Sequence, residues 1–178
     1  MYKAQSLRHH LCATVPDFKR SPDKLAILVK NGKVIAAGEA SLSYEYAATV
    51  QIMVLDYAGS PDAVMLPILV WLRTHQPEYF DNPALRAQAF RFDVDINDGK
   101  TIDIAIELDL TERVSVTAKN PADNPAPGAY NVHHLGEPPR TRGLGDTDEH
   151  WEFWLRGELL AEWDYTPAEF DHAPRLIA

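Results

Sequence analysis

Three oxygen-bearing side chains at alternate positions, Asp93, Asp95 and Asn97, match the start of a calcium-binding loop. Such a loop also needs glycine at its sixth position and a bidentate glutamate at its twelfth. Those positions hold Asp98 and Ile104 here. The match therefore fails, and alternation along a β-strand explains the carboxylates better. We expect no calcium site in this segment.

Histidines and the single cysteine are the other residues that could bind a metal or attack a substrate. His9–His10 and His133–His134 are adjacent pairs, whose members point apart on regular elements, and no i, i+4 spacing joins them. Cys12 lies on an apolar helix stripe, which predicts a buried and inert thiol. Nucleophile-elbow, phosphate-loop and zinc-type cysteine motifs are all missing from the sequence. We therefore assign no catalytic residue, no metal ligand and no cofactor.

Length and charge narrow the function classes further. The chain has 178 residues, enough for one domain with a sizeable core and too few for two ordinary domains. Its net charge of −9 argues against sequence-specific nucleic-acid binding, which would need clustered Lys and Arg. The longest apolar run, Ala63 to Leu72, is too short to span a membrane. Without a signal-peptide pattern, we expect synthesis in the cytoplasm.

Apolar residues alternate strictly with mostly charged ones from Phe90 to Arg113. This pattern predicts a β-hairpin that positions the acidic residues. Asn97–Lys100 supplies residues that tolerate a tight reversal. One apolar row should enter the core, while the almost wholly acidic row faces solvent or a partner. The hairpin indicates an α/β or α+β fold, and residues 114–117 could continue its second strand.

Earlier segments predict the elements that complete this sheet. A helix from about Lys3 to Val15 carries a narrow apolar stripe. Asn31–Gly32 is a strong hairpin signal between two short apolar runs. Ser41 to Tyr57 reads as a central strand with apolar residues on both faces, which predicts that both faces are covered. A further apolar helix, from Pro61 to before Pro77, should pack on the sheet despite its internal proline.

We expect an α+β fold, an α/β sandwich in which one mixed, mainly antiparallel sheet is packed by two helices. Residues 1–119 form the predicted core domain. Residues 120–150 are rich in proline and glycine and predict an extended arm that is not packed. Residues 151–178 predict a small C-terminal β-ribbon and tail. An isolated ribbon is marginal in water, so its tryptophans need its own domain or a neighbouring subunit to pack on.

The order of these elements resembles the tail completion protein R family of contractile-tailed temperate phages. The stretches that carry the resemblance are SLRHHL, PDKLAILVKNGKV, ASLSYEYAATVQIMVLDYAGSPDAVMLPILVWLRTHQPE, FRFDVDINDGKTIDIAIELDLTERV and FWLRGELLAEWD. The most specific are the P-x-L-x-W-L-R-x-x-Q-P helix end and the D-I-N-D-G…L-T-E-R hairpin. They cover most of residues 6–114 and a short C-terminal piece, but not the arm.

This resemblance implies a structural virion protein that completes the tail at its head-proximal end, not an enzyme. It is similar to tail terminators, which form a hexameric ring on the last disc of the tail tube. The implied partners are further copies of the chain, the tail tube, possibly the sheath, and head–tail connector proteins, first in the host cytoplasm and then in the virion tail. We expect the interface residues to be Asp103, Glu107, Asp109, Trp151, Trp154 and Trp163.

Two other function classes stay open at the level of sequence. The chain could be a different neck or baseplate adaptor that binds one asymmetric site, which the copy number per tail would distinguish. It could also be a small enzyme, such as a hydrolase, with a site near the long strand. Catalysis needs a convergent pocket of titrating groups, and the sequence shows none.

Overall fold

A computed structural model describes residues 1–38, 41–97, 99–123, 127–137 and 149–165. The helices are α1 (Tyr2–Thr14), α2 (Pro16–Arg20), α3 (Asp62–His75), α4 (Glu78–Asp81) and α5 (Pro83–Arg86), with short 3-10 turns at Pro22–Lys24 and Pro121–Asp123. The strands are β1 (Leu25–Ala36), β2 (Tyr44–Tyr57), β3 (Phe90–Ile96), β4 (Ile102–Ala118), β5 (Tyr130–His134), β6 (Glu149–Leu155) and β7 (Glu158–Tyr165).

The main sheet has the strand order β1-β2-β4-β3, and β5 pairs with the far half of β4. Every strand pairing among the described residues is antiparallel. The α+β class is therefore confirmed, with a main sheet that is antiparallel in all its described pairings rather than mixed. The predicted hairpin of β3 and β4 is also confirmed, with Phe90 opposite Leu108 and Ile96 opposite Ile102. Asp98, in the predicted turn, lies outside the described residues.

The core lies between one face of this sheet, here called the inner face, and helices α1 and α3. The predicted stripe on α1 is buried, as are the inner rows of β2 and β4 and the apolar side of α3. Trp71 and Ile106 are among the largest fully buried side chains. At about 25 cal/mol per Å² of apolar surface, this layer is the dominant stabilising contribution.

The predicted hairpin at Asn31–Gly32 is wrong, because β1 runs straight through it. The pairing with β2 shifts from Lys30 opposite Thr49 to Lys33 opposite Ala47. Two residues of β1 thus oppose one residue of β2, and Asn31 has φ 53°. This is a β-bulge, and it uses the same tolerance of positive φ that made the dipeptide look like a turn.

Strand β2 is central in the sheet, but the prediction that both of its faces are covered is wrong. Val50, Ile52 and Val54 are buried on the inner face. On the opposite side, the outer face, Met53 is only partly buried and Leu55 is exposed. Apolar residues on that face therefore did not indicate a second covering layer.

Strand β3 also differs from its prediction. Its apolar residues lie on the inner face, yet Phe92 is 59% exposed and Ile96 is 79% exposed. The reason is position, because β3 is an edge strand that pairs only with β4 among the described residues. The matching row of β4, at Ile104, Ile106 and Leu108, is fully buried as expected.

The predicted arm is partly packed, contrary to expectation. Tyr130–His134 forms β5, which pairs with residues 114–118 of β4, the predicted extension of that strand. The rest of the arm at 138–148 and the tail at 166–178 lie outside the described residues. Strands β6 and β7 form the predicted ribbon, which turns at Arg156–Gly157 with positive φ at both residues.

Candidate assembly surfaces

The acidic row on the outer face is partly neutralised by one arginine. Arg91, on β3, donates to Asp109 at 2.8 Å and to Glu107 at 3.4 Å across the β3–β4 pair. This hydrogen-bonded ion pair, with a further bond from Thr49, lowers the pKa of the Asp109 carboxyl. Arg91, Glu107 and Asp109 thus form an ordered group of charges on an accessible surface.

Asp103, the third predicted acidic interface residue, makes hydrogen bonds within its own chain. Its Oδ1 accepts from the backbone N–H of Asp56 at 2.8 Å and from the side-chain amide of Asn97 at 3.1 Å. Asp56 has φ 50° and lies where the β2–β4 register shifts. Asp103 therefore supports an irregularity of β2 and the β3–β4 turn.

The predicted ribbon tryptophans divide into two groups. Trp163 is buried and packs with Trp151 and Phe153 near Val70 of α3. The Trp163 ring also meets the His10 ring of α1 edge-on, with centroids 5.9 Å apart. The ribbon therefore docks on the outside of its own helices.

Trp154 lies on the other side of the ribbon and is 59% exposed. Its indole N–H donates to Glu152 at 2.9 Å. Of the three predicted tryptophans, only Trp154 offers a large apolar surface to a partner, and Trp151 and Trp163 serve the fold.

A buried charged cluster at the start of α1 was missed by the sequence analysis. The Glu112 carboxylate accepts from the Tyr2 and Lys3 backbone N–H groups at 2.9 and 2.8 Å. Helix α1 has no side-chain cap and no acidic residue in its first turn, so Glu112 supplies both from β4. His134 of β5 donates to the same carboxylate at 2.5 Å.

Lys3 completes this cluster although its side chain is only 1% exposed. Its ammonium donates to Glu137 at 2.8 Å and to Gln76 at 2.9 Å. A buried charge is tolerated only when it is paired and hydrogen-bonded in this way. A sequence signal did exist, because Lys3 continues the α1 stripe of Leu7 and Leu11 at a spacing of four.

Two histidines lie between α1 and α3, away from the outer face; His75 is buried and His10 is partly buried. Burial lowers the pKa of His10 to about 4, and it lowers the pKa of His75 to about 4 as well. His10 Nε2 donates to the Pro67 carbonyl at 3.1 Å, and His75 Nδ1 donates to the Trp71 carbonyl at 2.9 Å. The His75 ring stacks on Trp71 with centroids 4.2 Å apart. Both rings are neutral packing elements at pH 7.

The ribbon carries one group of side chains with metal-ligand atoms. His150, Glu152 and Glu162 place one such atom each within 4.8 Å of one another. All three are exposed, and His150 Nδ1 already bonds Asp164 at 2.8 Å. This bond and its charge raise the pKa of His150. Cross-strand pairing on an exposed ribbon accounts for the grouping.

Two depressions border β1 near its bulge. The larger, of about 310 Å³, lies toward the outer face and is lined by Lys33, Thr49, Asp109, Glu78 and neighbouring residues. The smaller, of about 270 Å³, is lined by Met1, Val29, Gly32, Lys33, Val34, Tyr46, Ala47 and Ala48. The second is almost wholly apolar, so it suits an apolar side chain better than a polar substrate.

The sequence matches a known family over most of its length. The P2 phage tail completion protein R (GpR) family matches residues 1–138. The chain belongs to this family. It is similar to Tail completion protein R of Escherichia phage P2, with 35% identity over 164 residues, covering 92% of this chain and 99% of that protein. No solved structure matches the chain. None of the helices in the described part of the chain is long and apolar enough to cross a bilayer.

Proposed function

We propose that this chain completes a phage tail by forming a ring of copies, six in number, at the head-proximal end of the tail tube. Family membership carries this proposal. It makes the chain a structural component of the tail rather than an enzyme, and it implies contact with other tail proteins. The ring, its position and its neighbours are the proposal. Assembly would begin in the host cytoplasm and end in the virion.

The outer face supports a docking role because it is accessible and charged. Glu107 and Asp109, held by Arg91, would face a neighbouring ring such as the last tube disc or the head–tail connector. Such charges add specificity and speed of association more than affinity. We place Asp103 outside this contact, since it already accepts two hydrogen bonds from its own chain.

The ribbon supports contact with a third component or with the next subunit. Trp154 is an exposed aromatic residue on a ribbon whose opposite side is anchored to α1 and α3. Exposed tryptophans of this kind are frequent anchors of protein interfaces. We expect the ribbon to act from its own docked position.

Copy number in purified tails tests the ring most directly. Quantitative mass spectrometry should give about six copies per tail, and electron microscopy should place a closed density at the head-proximal end. One copy per tail would contradict the ring and favour an adaptor at an asymmetric site. Density at the baseplate end would contradict the proposed position.

Charge reversal tests the outer face. Glu107→Lys with Asp109→Lys should leave the melting temperature within a few degrees, because surface ion pairs contribute about 0–1 kcal/mol each. The same variant should abolish tail completion, scored by head attachment. The matched control is the neutral variant Glu107→Gln with Asp109→Asn, which should reduce head attachment less than the Lys variant does. Normal head attachment by the Lys variant would show that this face makes no contact that tail completion needs.

A further inference from the structure

Strands β1 and β3 are the two outer strands of the four-strand path. Strand direction alternates across that path, so β1 and β3 run in opposite directions. A second copy placed head to tail beside the first would bring its β3 antiparallel to β1. The sheet would then continue with the same face outward, as a ring of identical contacts requires.

Among the described residues no strand pairs with the outer edge of β1, and this edge is basic and aliphatic. Strand β1 contains Lys30 and Lys33 and no acidic residue. Both lysines lie on the outer face, opposite Thr49 and Ala47 of β2. On the inner face, Val34 is 66% exposed, and Val29 is also exposed.

The outer edge of β3 likewise has no partner strand in the described part of the chain, and it is acidic and apolar. Asp93 and Asp95 lie on the outer face, opposite Ala105 and Asp103 of β4. Phe92 and Ile96 lie on the inner face and are the exposed apolar residues of the strand. The two edges are therefore complementary on both faces, in charge outside and in apolar character inside.

We propose that β1 of one copy pairs antiparallel with β3 of the next, so that the ring is built on one continuous sheet. This inference rests on the ring of the proposed function. One register of the two strands brings opposite charges together on the outer face and apolar side chains together on the inner face. Its facing pairs are Lys30 with Asp95, Lys33 with Asp93, Val29 with Ile96, and Val34 with Phe92.

The β-bulge gives this register its outer-face match. Lys30 and Lys33 are three positions apart, which in a regular strand would place them on opposite faces. The extra residue at Asn31–Gly32 turns both onto the outer face. Their spacing then equals that of Asp93 and Asp95, and Val94 faces the bulge as Ala48 does within the chain.

The apolar depression beside β1 gives the inner-face match. Its lining includes Val29, Val34 and Tyr46. Phe92 of the next copy, opposite Val34 in this register, has an apolar ring of a size that such a depression can hold. A buried aromatic anchor of this kind commonly dominates the affinity of an interface. Pairing would also cover residues 29–36 of the edge strand β1, which otherwise invites non-specific association.

The register also fixes how neighbouring copies are offset. Within one chain Val94 lies level with Leu25, through Ile104 and Val54. Across copies it faces the bulge, six positions further along β1, which is roughly 20 Å at about 3.3 Å per residue. Such a stagger tilts the strands relative to the ring axis, as in closed β-barrels.

Reciprocal charge reversal tests the contact on the full chain. Lys30→Glu with Lys33→Glu makes both edges acidic, and Asp93→Lys with Asp95→Lys makes both edges basic. Each variant alone should associate roughly tenfold or more weakly than wild type in sedimentation velocity. Mixed one to one, the two variants should restore a ring of wild-type size, in which they alternate.

The outcomes separate this interface from the proposed function. A wild-type ring that neither variant weakens would overturn the β1–β3 contact and leave the ring standing. Weakened variants that fail to rescue one another would also overturn it. Wild type that neither associates in solution nor occurs in several copies per tail would overturn the ring and this contact together.

Cysteine cross-linking tests the register in a Cys12→Ser background. Val29→Cys with Ile96→Cys should give a ladder of covalent oligomers on mild oxidation, because facing Cβ atoms lie close enough for a disulfide. The matched control, Val29→Cys with Asp95→Cys, places the thiols on opposite faces and should remain uncross-linked. Each single variant should also stay uncross-linked. Dimers of a single variant would indicate a two-fold contact and overturn the head-to-tail arrangement.

Discussion

The two faces of the main sheet are built from alternate residues of the same strands, yet one face is buried and the other is charged and accessible. On β4 the inner row is buried under α1 and α3, while the outer row of Glu107 and Asp109 meets Arg91 and solvent. The inner face holds the fold together through burial, and the outer face contributes little to stability. Adjacent residues of one strand can therefore be changed to separate folding from assembly.

The largest expected effect separates the two faces directly. Leu108→Ala should lower the free energy of unfolding by about 2–5 kcal/mol, because it opens a cavity in a fully buried row. Glu107→Ala, one residue away on the outer face, should change it by less than about 0.5 kcal/mol. Urea denaturation of both variants measures the contrast. Equal destabilisation would show that the outer face is covered in solution.

A second prediction concerns the charged end of the inner face. Glu112→Leu should cost about 3 kcal/mol of unfolding free energy, since it leaves the first amides of α1 without an acceptor. Glu112→Gln, the matched control, keeps the size and one oxygen acceptor and should cost less. Chemical denaturation at pH 7 would measure both. A Glu112→Leu variant as stable as wild type would mean that water satisfies these amides.

The third effect, the smallest for any single residue, is a pH dependence of stability that comes from two histidines on the inner side. His10 and His75 have native pKa values of about 4, below the ordinary 6.5, so the unfolded chain binds protons first as the pH falls. The two histidines make their full contribution to the free energy of unfolding above pH 6.5, and this contribution is lost progressively as the pH falls to 4. At pH 5 the loss should be about 2 kcal/mol per histidine.

Stability curves between pH 7 and pH 5 would measure this loss. His10→Gln and His75→Gln should each remove about half of the slope. His9→Gln, a substitution of the same kind at an exposed position of the same helix, is the control. An unaltered slope in both test variants would assign the acid sensitivity to other groups.

Periodicity predicted the parts of the fold that obey one rule over many residues. The α1 stripe, the β3–β4 hairpin and the C-terminal ribbon were all visible in sequence, because local pattern and tertiary burial agree there. Asn31–Gly32 was misassigned because bulges and hairpin turns select the same residue types. Only the pairing partner decides between them, and that partner is distant in sequence.

The candidate surfaces were less predictable for the same reason. Glu107 and Asp109 were correctly placed on the outer row, but the arginine that pairs them lies on another strand. The exposure of Phe92 goes with the edge position of β3, which the sequence of that strand alone does not specify. Lys3 and Glu112 each interrupt an apolar row, so a search for charges within such rows would have found the buried cluster.

The bond between Lys3 and Glu137 spans 134 positions of the chain. A ribosome adding about 5–20 residues per second makes the partner of Lys3 roughly 7–27 seconds after the lysine itself. The Lys3 ammonium can therefore make this bond only after β4 and the segment after β5 have been synthesised. Pairing of the Lys3 charge is consequently a late event in biosynthesis, and the first turn of α1 depends for it on a residue 134 positions further along the chain.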